Sequence, residues 1–290
     1  MWVDIGGRRL FFDVEGVKLA PRGSSVDERP TLILIHGAPG LSDHMTFKPH
    51  FTKLAEHMQL IYLDLAGCGR SDEISPTADY SLDNWADDIV AFCKALSIEK
   101  PLVLGVSGGG MVAQKYAIRH SDHCAGVVMA NTQAYFDPAR AVEVFYRLGG
   151  AHAGGIAEKF LTRVTQLEEV AEFNEVCGPL YNRTPQDPQR GGRMIMRERV
   201  ATAFHRFGDG IWHEMDMREE LVNVTCPVLL MAGEDDPITP VEDSDDMATF
   251  IAPELLTYVR LADCGHGNWL DKPEESFDAI RDFVTQSARR

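Results

Sequence analysis

A chain of 290 residues with 44% hydrophobic content can bury a sizeable core, as one large domain with an insertion or as two modest domains. Its 28 basic residues against 44 acidic ones leave a formal net charge of -16, and no basic run stands out, which speaks against nucleic-acid or anionic-membrane partners. No stretch approaches the length of a membrane span, Met1–Arg9 lacks the apolar segment of a signal peptide, and the six cysteines are scattered without a Cys-x-x-Cys pair. Reduced thiols and a cytoplasmic setting are therefore expected.

Residues Trp2–Glu15 alternate like a hairpin turning at Gly6-Gly7, and Lys18–Pro30 reads as a polar loop. Thr31–Ile35 is a buried strand that ends in His36-Gly37-Ala38-Pro39-Gly40. A helix is expected over Phe47–Met58, and a strand over Leu60–Leu63 that leads into the loop Asp64–Asp72. Ser81 is a good helix N-cap, with Leu82, Trp85, Ile89, Cys93 and Leu96 on one face; Trp85 and Cys93 read as core.

The apolar run Leu102–Val106 then enters Gly105-Val106-Ser107-Gly108-Gly109 and continues as a helical pattern from Met111. A turn this tight forces Ser107 into a strained backbone conformation, and side chains at positions 105 and 109 would collide as strand and helix cross. The serine hydroxyl is thereby held at the strand's carboxyl end, over a helix N-terminus that favours negative charge.

Ala125–Ala130 is another strand. From Gln133 to His213 the periodicity is helical and is broken by Gly149-Gly150, Gly154-Gly155, Pro179 and Pro185. Strands return at Cys226–Ala232, followed by Gly233-Glu234-Asp235-Asp236, and at Leu256–Leu261, followed by Asp263-Cys264-Gly265-His266-Gly267; a helix is expected at Val241–Phe250 between them. Pro273 opens a last helix that buries Phe277, Ile280, Phe283 and Val284. Repeated strand–helix units predict an α/β fold, a mostly parallel central sheet covered by helices on both faces. Residues 1–132 and 214–290 form the expected core domain, and 133–213 an inserted helical cap.

A serine hydroxyl needs a base, and the base an orienting acid. Among ten histidines His266 alone follows the last strand, flanked by glycines that let the loop aim its ring. His36 also follows a strand but precedes the serine, and reads as structural. The remaining histidines, His205 and His213 among them, read as solvated or satisfied locally. The acid follows a strand between serine and histidine. Position 131 is asparagine, which leaves Asp235 and Asp236. Asp236 is favoured because Pro240 completes a Gly-x-x-Asp-x-x-x-Pro arrangement. The backbone N–H groups of Gly108 and Ala38 are expected to hold the oxyanion, with a cis Ala38-Pro39 bond as one way to fix the loop.

These segments together resemble the α/β-hydrolase superfamily: His36–Gly40, Asp64–Asp72, Gly105–Gly109, Gly233–Asp236 and Gly265-His266, with serine, aspartate and histidine in that family's chain order. Within it the chain looks like the prolyl-aminopeptidase branch, through His-Gly-x-Pro-Gly, Gly-x-Gly-Arg-Ser and Glu214-Met215-Asp216-Met217-Arg218. It departs from that branch at Gly108, where a large aromatic is usual, and at Ala38, where glycine is usual. The branch's peptidases hold a free amine with cap carboxylates, for which Glu143, Glu158, Glu168, Glu169, Glu172, Glu175 and Glu198 are available. An esterase would instead need an apolar acyl pocket, which Phe136, Phe145, Tyr146, Phe160, Phe204 and Trp212 could line. The resemblance implies a serine hydrolase that cleaves a small-molecule ester, lactone or amide through an acyl-enzyme, with no cofactor and no metal. The alternatives are a prolyl-aminopeptidase-like exopeptidase, a carbon–carbon bond hydrolase and a non-catalytic small-molecule receptor.

Overall fold

A computed structural model describes the chain except residues 77–78, 164–166, 188, 207 and 289–290, and except the side chains of 167–170, 190 and 191. The first strands, β1 (Trp2–Asp4) and β2 (Arg9–Glu15), pair antiparallel around the Gly6-Gly7 turn. The segment expected as a polar loop instead forms a small separate hairpin, β3 (Leu19–Arg22) with β4 (Ser25–Glu28). It turns at Gly23 (φ 61°), and its strands are largely exposed, so no buried stripe betrays it in the sequence.

The remaining strands are β5 (Thr31–Ile35), β6 (Gln59–Leu63), β7 (Leu102–Val106), β8 (Gly126–Ala130), β9 (Val228–Gly233) and β10 (Leu256–Leu261). The main sheet runs β1-β2-β6-β5-β7-β8-β9-β10; its first two strands are antiparallel and the rest parallel. The chain passes from β6 on one side of β5 to β7 on the other. The crevice beside that reversal, at the strands' carboxyl ends, is where such sheets place a ligand.

Alternate residues of each central strand face opposite layers, because a strand's side-chain period is two. Ile33 and Ile35 pack with α1 (Leu82–Ala95) and α2 (Gly108–His120), while Leu32 and Leu34 pack with Phe47, Phe51 and the last helix. Both layers are fully buried, hence the unbroken apolar runs in the sequence. Ser81 caps α1 by accepting the Asn84 N–H at 3.1 Å, and Trp85 and Cys93 are core. All six cysteines are free and buried.

The helix expected over Phe47–Met58 is instead two short 3-10 segments, His44–Thr46 and His50–Glu56. Pro49 lies between them, and its ring disfavours helical backbone at the preceding Lys48, so one continuous helix from Phe47 is interrupted there. Between β8 and β9 the described chain is helical: α3 (Pro138–Thr162), α4 (Leu167–Val176), the short α5 (Arg190–Arg193), α6 (Glu198–His205) and α7 (Ile211–Glu214). Gly150 (φ 68°) kinks α3, as its glycine pairs foretold. Phe145, Ile156, Leu161 and Phe173 form a cluster of their own between α3 and α4. The chain ends with α8 (Val241–Phe250), α9 (Asn268–Asp271) and α10 (Pro273–Ser287), the last burying Phe277, Ile280, Phe283 and Val284. No helix among the described residues is long and apolar enough to cross a membrane.

The tightest contact lies where β7 turns into α2. A Cβ on Gly105 would stand 2.1 Å from the Gly109 carbonyl oxygen, and one on Gly109 would stand 2.3 Å from the carbonyl oxygens of Ile35 and His36. Gly155, inside α3, has nothing within 4 Å of its Cβ position. Gly105→Ala should therefore destabilise the fold by at least about 1–3 kcal/mol, as overpacking does. Gly155→Ala should stabilise it by about 0.5–1 kcal/mol through backbone entropy. Urea unfolding of both variants reads the opposite signs.

Candidate active site

Ser107 stands between β7 and α2 at φ 54°, ψ -123°, a conformation L-residues avoid at a cost of about 1–3 kcal/mol. The strain is held from several sides. The Ser107 N–H donates to the Ala130 carbonyl at 3.1 Å, and Thr132 Oγ1 donates to the Ser107 carbonyl at 2.8 Å. Gly37 lies alongside, where a Cβ would stand 3.0 Å from Ser107 Cβ.

After β9 the two adjacent aspartates diverge. Asp236 is fully buried and accepts from His266 Nδ1 at 2.8 Å, from the N–H groups of Ile238 (2.9 Å) and Thr239 (3.0 Å), from Thr239 Oγ1 (2.7 Å) and from Asn131 Nδ2 (3.1 Å). Burial by itself pushes this carboxyl up, but the charge and hydrogen bond of His266 and the Thr239 donors outweigh it and hold Asp236 below the usual carboxylate range. Asp235 instead takes Arg147 Nη1 at 2.6 Å from α3 and Arg183 Nε at 2.9 Å, while the His266 ring bonds Asp236. Asn131 Nδ2 donates both to Asp236 and to the Gly265 carbonyl (3.1 Å). In the sequence this asparagine only removes position 131 as a candidate acid; in the fold it ties Asp236 to the His266 loop.

An ionised Asp236 can only accept, so it selects the tautomer of His266 that carries its proton on Nδ1 and leaves Nε2 with the lone pair. The His266 loop is gripped from the helical segment: its N–H donates to the Tyr181 carbonyl at 2.7 Å, and the Gly267 N–H donates to Asn182 Oδ1 at 2.6 Å. A Cβ on Gly265 would stand 2.2 Å from the Tyr181 oxygen, which explains the first of the two flanking glycines. His36 is buried behind its loop: the Leu65 N–H donates to its Nε2 at 3.3 Å and its Nδ1 faces the Gly37 carbonyl at 3.0 Å, so it is structural. His44 is buried on Asp64 (2.8 Å), and His120 meets Asp87 at 2.7 Å.

Ala38 lies at φ 39°, with its carbonyl accepting from Leu41 (2.9 Å) and Ser42 (3.1 Å). The cis peptides precede Pro49 and Pro76, so the Ala38-Pro39 bond is not cis; a left-handed residue closes this turn instead. A Cβ on Gly108 would stand 3.2 Å from the Ala38 nitrogen, which places the two expected oxyanion donors side by side. The same Cβ would stand 2.6 Å from Pro39 Cδ and 3.1 Å from Phe204 Cζ. The space beside Gly108 is thus filled by Pro39 and by an aromatic ring from α6.

Ser107, Gly108, Ala38 and His266 line one cavity of about 570 Å³. Of the aromatics expected there, Phe160, Phe204 and Trp212 line it, joined by Phe173, Tyr181 and Trp269. Phe136 and Phe145 are buried in helix packing, and Tyr146 is exposed. No Asp, Glu, Lys or Arg is among the described lining residues, so Glu143, Glu158, Glu172, Glu175 and Glu198 stay out of it. The side chains of Glu168 and Glu169 lie outside the described residues. His205, read from sequence as locally satisfied, does line the cavity. A larger groove of about 830 Å³ lies at the other end of the strands, against Thr31, Leu102 and Pro227, and carries neither Ser107 nor His266. A buried trio, Asp43, His44 and Asp64, has metal-like proximity, but protein donors occupy it: Asp64 accepts from His44 and from the Arg70 N–H (2.9 Å), and Asp43 from the N–H groups of Met45 and Ile195 (both 2.9 Å).

Residues 30–273 match the alpha/beta hydrolase fold family. The chain belongs to this family. Among its relatives it is 25% identical to 3-oxoadipate enol-lactonase 1 of Acinetobacter baylyi, covering 84% of this chain and 85% of that one. It is also 25% identical to proline iminopeptidase PfmaB of Pestalotiopsis fici, covering 84% and 87%. The crystal structure of the proline iminopeptidase of Mycobacterium smegmatis superposes with a TM-score of 0.79 at 23% identity, covering 99% of this hydrolase and 98% of its neighbour.

Three substitutions probe this geometry. Asp236→Asn should lower kcat by about 10⁴-fold by fixing the wrong imidazole tautomer. Asp235→Asn, which only frees two half-exposed arginines, should change KM less than tenfold; steady-state kinetics of the pair separates them. Gly108→Ala should push Pro39 and the Ala38 N–H aside and lower kcat by about 10²–10³-fold, the loss of one oxyanion donor, with the fold retained by circular dichroism.

Proposed function

We propose that this hydrolase opens small uncharged esters or lactones through an acyl-enzyme. Ser107 is the nucleophile, His266 the base and then the acid, and Asp236 the group that orients the imidazole and stabilises its charged form. The Ala38 and Gly108 N–H groups stabilise the oxyanion. In this reading Ser107 Oγ attacks the carbonyl carbon while its proton passes to His266 Nε2. The tetrahedral intermediate collapses as His266 returns that proton to the leaving oxygen, and water then repeats the sequence on the acyl-enzyme. No step calls for a cofactor or metal. Residues 133–213 act as the cap that roofs the cavity, and the reduced, buried cysteines suit a cytoplasmic setting.

The observation that carries this choice is the cavity wall. The chain is as similar to a lactonase as to a proline iminopeptidase, 25% to each, so likeness alone does not divide them. An exopeptidase must hold a free ammonium, and burying one without a carboxylate partner is costly. The described wall offers aromatic rings, neutral amides and a histidine, and no carboxylate. A neutral acyl group suits that wall; an ammonium does not.

Short-chain aryl esters and lactones should therefore exceed a prolyl arylamide in kcat/KM. A faster arylamide whose cleavage stops when its amine is blocked would reverse the choice in favour of the exopeptidase. The pH profile gives a second check. Asp236 is held below the usual carboxylate range, so it stays ionised through mildly acidic pH, and the stability it contributes is present above its unfolded pKa and lost only as pH falls through its lower folded value. The acid limb of kcat/KM should then be a single ionisation, that of the base Ser107 needs, with the protein still folded. Two ionisations on that limb would contradict the assignment of Asp236.

A further inference from the structure

Several polar side chains around the cavity are engaged within the protein: Ser42 Oγ donates to the Gly37 carbonyl, and Thr239 Oγ1 donates to Asp236 at 2.7 Å. Two neighbours on the His266 side are different. Tyr181 and Asn182 both line the cavity, and neither the Tyr181 hydroxyl nor Asn182 Nδ2 has a hydrogen-bond partner among the described residues. Neither atom belongs to the unpartnered polar atoms that are closed off from the surface, so both can be reached. We infer that the Tyr181 hydroxyl and Asn182 Nδ2 form a donor subsite that selects esters whose leaving group carries a second, uncharged oxygen acceptor such as a ketone.

Each donor is fixed by what the rest of its residue does. Asn182 Oδ1 accepts the Gly267 N–H at 2.6 Å, which identifies the oxygen and leaves both Nδ2 hydrogens unused. The Tyr181 carbonyl accepts the His266 N–H at 2.7 Å, and the Tyr181 ring meets the His266 ring edge-on with centroids 5.9 Å apart. Tyr181 is only half-buried, yet burial pushes its ionisation well above the usual phenol range. Accessible surface in so enclosed a place is cavity surface, and the hydroxyl keeps its proton to donate. The segment is anchored beyond these two residues, where Asp271 accepts the N–H groups of Arg183 (3.0 Å) and Thr184 (2.7 Å). Both donors are therefore preorganised at the edge of the cavity that carries His266. His266 returns its proton to the leaving oxygen, so this edge meets the leaving group, while the acyl carbonyl faces Ala38 and Gly108. The acceptor is uncharged because no Lys or Arg is among the described lining residues to balance a carboxylate. This inference rests on the hydrolase reading for the bond that is cleaved.

The test compares pentyl butyrate with 4-oxopentyl butyrate, and hexyl butyrate with 5-oxohexyl butyrate, pairs whose ketone is remote from the leaving oxygen. In the wild-type protein at least one ketoester should exceed its parent in kcat/KM by about 5- to 50-fold, the worth of one or two hydrogen bonds. Tyr181→Phe removes the hydroxyl while keeping the ring and the backbone carbonyl, and should lower that ratio by about 3- to 10-fold. Asn182→Asp keeps an oxygen for the Gly267 N–H but turns the donor into an acceptor, and should lower the ratio at least as much. No preference in the wild-type protein, or a ratio unchanged in either variant, overturns the inference. A carboxyalkyl butyrate of matched length that outruns the ketoester overturns the uncharged acceptor. Binding of the same esters to Ser107→Ala protein reads the contact without turnover, through tryptophan fluorescence, because Trp212 and Trp269 line the cavity. The favoured ketoester should bind about 5- to 50-fold tighter than its parent and lose most of that margin when Tyr181→Phe is added. An absence of hydrolysis by the wild-type protein would strike the hydrolase reading, and the binding comparison would still decide the subsite, since equal affinities overturn it.

Discussion

The close crossing of β7 and α2 is the constraint on which the site depends. Gly105 and Gly109 approach to within a distance that admits no Cβ, and Gly109 also lies against the carbonyls of Ile35 and His36 at the end of β5. Ser107 is strained because this crossing leaves its backbone no relaxed path. The same crossing brings the end of β5, with Gly37 and Ala38, beside the serine. The strained Ser107 and the expected oxyanion donors are thus consequences of one packing event, and the rigid parallel sheet beneath supplies the stiffness that holds it.

The pairing of Asp236 with His266 depends on a second set of contacts, between strand ends and the helical segment. Asn131 after β8, Asp236 after β9 and His266 after β10 form a short chain of hydrogen bonds across neighbouring strands. Tyr181 and Asn182 press on the histidine loop, while Arg147 and Arg183 hold Asp235, the residue next to Asp236. The segment between β8 and β9 therefore does more than cover the cavity: it fixes two of the loops that would carry the chemistry. The large negative charge of the chain stays outside, since the described cavity wall is uncharged.

The fold was legible because its strands are unbroken apolar runs and its turns carry glycine where a side chain would collide. Ser81, Ser107 and the glycine beside His266 each announce a local geometry that residue type alone requires. Other features depend on remote partners. Asp235 and Asp236 are chemically the same residue one position apart; what separates them is that arginines from α3 and from the segment after α4 reach the first and His266 reaches the second. The hairpin of β3 and β4 has no buried face to produce a pattern, and Pro49 interrupts an apolar run that looks helical, which is folded as two short 3-10 segments. His205 reads in the sequence as solvated or satisfied locally, yet it lines a cavity that no linear pattern encodes.

The central claim is that Ser107 is an activated nucleophile in the folded protein. Reaction with an aryl fluorophosphonate, followed by intact mass and peptide mapping, tests it most directly. The account predicts one adduct per chain, on Ser107, formed by the native protein, absent after denaturation and strongly slowed in His266→Ala. A native protein that stays unlabelled, that is labelled on another residue, or that is labelled equally fast without His266, would contradict it.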